Sequence, residues 1–121
     1  MPQKTKKILI AEDERPLSRA LELKLTNEGY DVVIAYDGAE AIEKIKKEKF
    51  DLLLLDLIMP GKDGFAVLEY IKKQKINLPT IVLTNLSQDQ DREKAKKLGA
   101  KEFFIKSDSP ISDIVKHIKK I

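Results

Sequence analysis

The chain contains no cysteine and a single histidine, His117, among its 121 residues. Without thiols it can form no disulfide, and the composition fits a reducing compartment. His117 has no acidic or histidine partner at metal-ligand spacing, so it reads as a helix-surface residue. Long apolar runs are missing as well. The strongest, Leu52 to Leu55, is far too short to span a bilayer. The basic start from Met1 to Lys7 has no apolar region or cleavage-like segment behind it. A cytoplasmic protein without membrane contact is expected. The few aromatics do not interleave with basic residues as a base-stacking surface requires. With 23 basic against 20 acidic residues the net charge is only +3, and the lysines are spread over several helical faces. That is a solvated surface, and direct nucleic-acid binding is not expected.

What is present is regular alternation. Short apolar runs end at Ala11, Ala35, Leu55, Leu83 and Ile105, and each is followed by an amphipathic or charged stretch. The expected strands are Lys7–Ala11, Asp31–Ala35, Asp51–Asp56, Thr80–Thr84 and Glu102–Lys106. Pro16 opens the first helix, with Leu17, Leu21 and Leu25 on one stripe and Gly29 as its stop. Asp37-Gly38 leads into a helix burying Ala41, Ile42 and Ile45. Phe65, Leu68 and Ile71 mark the third. Ser87 is placed to cap a fourth, roughly Gln88 to Leu98, in which only Ala95 and Leu98 are clearly apolar. The last starts near Ser109-Pro110 and buries Ile111, Ile114, Val115 and Ile118. Such alternation predicts an α/β doubly wound sandwich with right-handed crossovers, a single domain over residues 1–121 with its core at about 7–118. The third strand, apolar at four successive positions, is expected at the centre of a parallel sheet.

In such a sheet ligands bind where the strands end. Glu12 and Asp13 follow the first run, Asp56 the third, Thr84 closes the fourth and Lys106 follows the fifth. Clustered carboxylates must protonate, pair or bind a cation. Glu12, Asp13 and Asp56, with a backbone carbonyl near Ile58 and waters, suit Mg²⁺. Asp56 could then attack phosphorus in line, with Lys106 and Thr84 answering two phosphoryl oxygens. Each residue alone has a duller role as a turn acid, strand-end hydroxyl or solvated lysine. Their joint placement on one edge outweighs those roles.

The segments Ile8-Leu9-Ile10-Ala11-Glu12-Asp13, Asp51 through Gly61, and Leu98-Gly99-Ala100 with Lys106 downstream resemble response-regulator receiver domains, the phosphoacceptor half of two-component signalling. The resemblance runs from Lys7 to Ile118. It implies a flavodoxin-like (βα)5 sandwich with strand order 2-1-3-4-5. It implies Asp56 as the phosphorylation site, and Glu12, Asp13, Asp56 and the Ile58 carbonyl as holders of Mg²⁺, with Mn²⁺ as a substitute. It implies Thr84 and Lys106 at the phosphoryl group and Phe103 as a switch aromatic that turns inward as Thr84 moves. Partners implied are a histidine kinase or phosphotransfer protein, docking around Arg15, Pro16, Leu17 and Ala20, a downstream protein or effector domain, and a phosphorylation-linked dimer. The chain would be a Mg²⁺-dependent phosphoacceptor assisting its own phosphorylation and dephosphorylation, not a turnover enzyme. The chain ends with its fifth helix, so it is expected either to stand alone or to be cut from a longer regulator.

Three features depart from the family pattern. Ser107 follows Lys106 where the family usually has proline after a cis bond. Asn85 follows Thr84 where a small residue is preferred, so its amide either contacts the phosphoryl group or crowds its entry. Ile58 and Leu86 flank the site with aliphatic side chains where many relatives have polar ones. The alternative is a pseudo-receiver that binds partners without being phosphorylated. A haloacid-dehalogenase-type phosphatase would need a second acid where Ile58 stands. A flavin carrier would need a phosphate-cradling loop where Glu12-Asp13-Glu14-Arg15 stands.

Overall fold

The computed structural model describes residues 5–86 and 88–120; the expected cap Ser87 lies outside the described residues. The chain alternates β1 (Lys7–Ala11), α1 (Arg15–Asn27), β2 (Asp31–Ala35), α2 (Gly38–Lys47), β3 (Leu52–Leu55), α3 (Gly64–Lys73), β4 (Thr80–Thr84), α4 (Asp89–Lys97), β5 (Glu102–Ile105) and α5 (Ile111–Lys119). All strands are parallel, in the order β2-β1-β3-β4-β5.

Alternation within the buried strands divides the core into two layers. Ile8, Ile10, Leu52, Leu54, Ile81 and Leu83 face α1 and α5, meeting Leu21, Leu25, Ile114, Val115 and Ile118. Leu9, Ala11, Leu53, Leu55 and Val82 face the other way, toward Ala41, Ile42, Ile45, Val67, Leu68, Ile71 and Ala95 of α2, α3 and α4. Covering on both faces is why these strands read as continuous apolar runs.

The helix starts are set by local chemistry. Asp37 accepts the Glu40 N–H at 2.7 Å, and the Glu40 carboxylate accepts the Tyr36 N–H at 2.7 Å, a reciprocal cap. Asp63 accepts the Ala66 N–H at 3.0 Å at the start of α3. α1 stops at Glu28, followed by Gly29 with φ +96°.

Several boundaries differ from the expected ones. β3 and β5 are trimmed to four residues each. Lys106 leaves the sheet in a 3-10 turn, Lys106–Asp108, which delays α5 to Ile111 and leaves that residue only half-buried. Leu17 is likewise half-buried at the edge of its stripe. α4 is as polar as its sequence suggests, with Ala95 its one buried residue. It is steadied by side contacts: the Lys94 ammonium lies 4.3 Å from the Phe65 ring centroid, and Lys72 of α3 donates to the Lys97 carbonyl at 2.8 Å.

Candidate functional site

Parallel strands bring their carboxyl ends to one edge, and this edge gathers the acids. The ladder continues one step past the strand ends: Glu12 N–H donates to the Ala35 carbonyl and Asp56 N–H to the Ala11 carbonyl, each at 3.0 Å. Glu12 and Asp56 are thereby fixed side by side at the crevice where the order of strands reverses, between β1 and β3. Both are buried, at 2% and 4% exposure, while Asp13 is half-buried. One carboxylate oxygen from each of Glu12, Asp13 and Asp56 lies within 4.8 Å of the other two.

Lys106 answers these acids. Its Nζ reaches Glu12 Oε1 at 2.7 Å, Asp56 Oδ2 at 2.8 Å and Glu14 Oε2 at 2.9 Å. The remaining oxygens of Asp56 and Glu12 are also held: Ile58 N–H donates to Asp56 Oδ1 at 3.0 Å, and Glu14 N–H to Glu12 Oε2 at 2.9 Å. Both acids are locked in orientation by donors on each oxygen.

The electrostatics arise from burial. Desolvation pushes the Glu12 carboxyl up to about 7; the Asp56 charge adds to the rise, and hydrogen bonds from Lys106 and the Glu14 N–H oppose it. For Lys106 burial disfavours the charge, but its hydrogen bonds to Asp56, Glu12 and Glu14 outweigh that and hold its pKa above the ordinary lysine value. Glu12, Asp13, Glu14 and Asp56 together still bring four formal charges against one. The acids outnumber the cation that faces them.

Oxygen donors suit Mg²⁺, and opposite ligands of that ion stand about 4.2 Å apart at its usual bond length of about 2.1 Å. The oxygens of the three acids, up to 4.8 Å apart, slightly exceed that span, so a divalent ion held among them would draw them together beside the Lys106 ammonium.

The other expected residues surround this centre. Thr84 is fully buried at the end of β4, its Oγ1 accepting the Leu86 N–H at 3.4 Å. Asn85 beside it is exposed. Ile58 is 52% exposed, whereas Leu86 packs on the core. Phe103 is half-buried against the α2–α4 layer, with the Arg92 guanidinium 5.2 Å from its ring centroid. The Lys106–Ser107 bond is trans; among the described residues no peptide bond is cis. At the start of α1, Pro16 and Ala20 are exposed, and Arg15 folds across the Tyr36 ring at 4.0 Å. Leu17, Leu83, Asn85, Lys106 and Ile111 border an apolar cavity of about 390 Å³ beside the acids.

Two residues of the site are absent from those the sequence singles out. Glu14 is a direct partner of Lys106, and Gly64, opening α3, lies so close to Asp56 that a Cβ there would stand 2.3 Å from the Asp56 carbonyl oxygen. The run of acids from Glu12 to Glu14 is a signal for the first. For the second only the spacing from Asp56 to Gly64 is visible.

The family model for the response regulator receiver domain matches residues 8–119. The fold is similar to the receiver domain of the Francisella response regulator 1452, with TM-score 0.90 and 28% identity, covering 96% of this chain and 95% of that one. It is similar to a CheY-like receiver domain protein from Methanospirillum hungatei, with TM-score 0.91 and 28% identity over 97% of this chain and 93% of that one. The BeF3-activated N-terminal receiver domain of Klebsiella pneumoniae RstA gives TM-score 0.86 and 29% identity over 95% and 97% of the two chains.

Proposed function

This chain belongs to the response regulator receiver domain family, the phosphoacceptor module of two-component signalling, and from that premise we propose that Asp56 is its phosphorylation site. The observation that carries the reading is the shared grip on Lys106 by buried Asp56 and Glu12 at the strand-order reversal. Residues 1–121 make one receiver domain with its core at about 7–118. Glu12, Asp13, Asp56 and the Ile58 carbonyl would hold Mg²⁺, with Mn²⁺ able to replace it. The bound ion supplies positive charge that admits an anionic phosphodonor and offsets charge on the phosphoryl oxygens.

The chain's own residues do the rest. Asp56, held by Lys106 and the Ile58 N–H, presents its carboxylate to phosphorus. As the new O–P bond forms, the P–N bond of a donor phosphohistidine breaks and the electron pair leaves on the imidazole, which then takes up a proton. Lys106 pairs with one phosphoryl oxygen as a point charge, and the Thr84 hydroxyl turns from the Leu86 N–H to donate to another. Asn85 lies at the mouth. As Thr84 moves, Phe103 leaves the Arg92 side and turns inward, altering a face for a downstream protein, an effector domain or a second copy. A histidine kinase or phosphotransfer protein docks around Arg15, Pro16, Leu17 and Ala20, beside the apolar cavity. Reaction stops at the acyl phosphate until water removes it.

The test is intact mass after incubation with Mg²⁺ and a small phosphodonor. One base-labile phosphoryl adduct is expected on the native chain and none on Asp56→Asn. A folded native chain that binds Mg²⁺ but gains no adduct from any donor would instead be a pseudo-receiver acting through binding alone.

Ile58 and Leu86 cannot orient an attacking water, so the phosphorylated state should be long-lived. Replacing both, as Ile58→Asn with Leu86→Gln, should speed loss of the phosphoryl group by about tenfold, the effect of one hydrogen bond that orients the attacking water. Adduct decay followed by mass spectrometry would show this; identical decay rates would sink the idea.

A further inference from the structure

Three carboxylates enclose the Lys106 ammonium: it donates to Asp56 at 2.8 Å and Glu14 at 2.9 Å and pairs with Glu12 at 2.7 Å. With three N–H donors and three acids around it, the ammonium has no open side for a fourth anion. To pair with a phosphoryl oxygen it must let one partner go, and the three are not equally costly to release. Asp56 carries the reaction. Glu12 has its side chain 3% exposed and is tied at its other oxygen to the Glu14 N–H, so stripping its ammonium partner leaves a buried acid. The Glu14 side chain is 53% exposed and can be rehydrated in place.

The position of Glu14 in the chain points the same way. It is the residue preceding α1, the position from which the shorter aspartates Asp37 and Asp63 cap α2 and α3. The Glu14 side chain makes no such cap. It turns instead to Lys106, 92 residues away in sequence.

We infer that Glu14 is a placeholder for the phosphoryl group: its carboxylate occupies the third donor of Lys106 in the unphosphorylated chain and is displaced when a phosphoryl oxygen arrives. This rests on Asp56 being the phosphoacceptor. Glu14 is then a positioning residue. It keeps Lys106 extended over the acids while the site is empty, and it sets a threshold the incoming group must exceed.

Removing the competitor should tighten binding of a phosphoryl mimic. In saturating Mg²⁺, Glu14→Gln should bind beryllofluoride about two- to fivefold more tightly than the native chain, the range open to one solvent-screened ion pair. The gain should shrink as salt is raised. Asp108→Asn is the control, because it removes the same charge from the exposed turn after Lys106. It should leave the affinity unchanged. Equal gains from both variants would mean a general field effect and overturn the placeholder. So would a Glu14→Gln chain with a lowered urea midpoint and unaltered beryllofluoride affinity, since that marks a brace between α1 and the β5–α5 turn. If native chain and variants all fail to bind beryllofluoride, the phosphoacceptor reading falls and this inference with it. Binding by all with equal affinity sinks the placeholder alone.

Discussion

Replacing Lys106 by methionine should cost the metal-free protein about 3 kcal/mol of stability, the low end for breaking a buried ion pair because the lysine keeps some contact with water. Methionine approximates the length of the lysine stem and removes the charge and its donors. Asp56 and Glu12, both nearly inaccessible, then face each other and Asp13 with no cation among them. The same change should tighten Mg²⁺ binding by roughly tenfold or more, since an ammonium within 3 Å of two of the ligands competes for their charge. Stability and affinity therefore move in opposite directions, and saturating Mg²⁺ should restore most of what was lost.

Urea unfolding at pH 8 in a chelator, then in excess Mg²⁺, measures both effects. The pH dependence has a fixed sign. Burial already raises the Glu12 carboxyl to about 7, and losing Lys106 removes a bond that opposed the rise. An acid whose folded-state pKa is raised destabilises the fold when ionised, so the penalty is full at high pH and fades as pH falls through that pKa. The gap between variant and native chain should narrow toward pH 5. A variant as stable as the native chain at pH 8 without metal would show that the acids are solvated well enough to need no counter-charge.

Strand positions and the placing of polar residues along one sheet edge are legible in the sequence for one physical reason. A parallel sheet buried on both faces demands continuous apolar runs, so β1, β2 and β4 are bounded correctly by where those runs begin and end. Because parallel strands all point the same way, the first polar residue after each run lands on one edge. That places Glu12, Asp13, Asp56, Thr84 and Lys106 together without any knowledge of their distances. The segments after the strands obey different chemistry. The 3-10 turn after β5 is too short to leave a periodic pattern, and α5 begins at Ile111, directly after the expected Ser109-Pro110. Glu14 is hidden for a different reason. At a helix start an acid has a local partner available, and its preference for Lys106 arises only once β5 lies in the same sheet as β1, bringing the two strand ends to one edge. The polarity of α4 is visible, but the contacts that hold it, Lys94 on Phe65 and Lys72 on the Lys97 carbonyl, join separate elements and leave no local pattern.

Gly64→Ala should damage both fold and site, although an alanine is the better helix former. The added Cβ would stand 2.3 Å from the Asp56 carbonyl oxygen, 2.7 Å from Leu57 Cα and 3.0 Å from the Asp56 carbonyl carbon. All three are backbone atoms, so no side chain can rotate away. Either α3 backs off, breaking the 3.0 Å bond from Gly64 N–H to the Leu57 carbonyl, or the segment carrying Asp56 shifts. Overpacking of this kind costs about 1–3 kcal/mol, and disturbing the Asp63 cap adds about 1 kcal/mol. The second route also moves the Ile58 N–H that fixes Asp56 Oδ1, so Mg²⁺ affinity should fall by on the order of tenfold, as when an orienting partner of a metal ligand is lost. Gly29→Ala separates these effects. Its φ of +96° strains an alanine, yet no atom lies within 4 Å of the added Cβ, and the position follows α1, at the opposite end of that helix from Glu14. It should lower stability to urea by about 1–2 kcal/mol and leave Mg²⁺ titrations unchanged. If Gly64→Ala behaves like Gly29→Ala, losing stability but keeping native Mg²⁺ affinity, then the approach of α3 does not govern the geometry of Asp56.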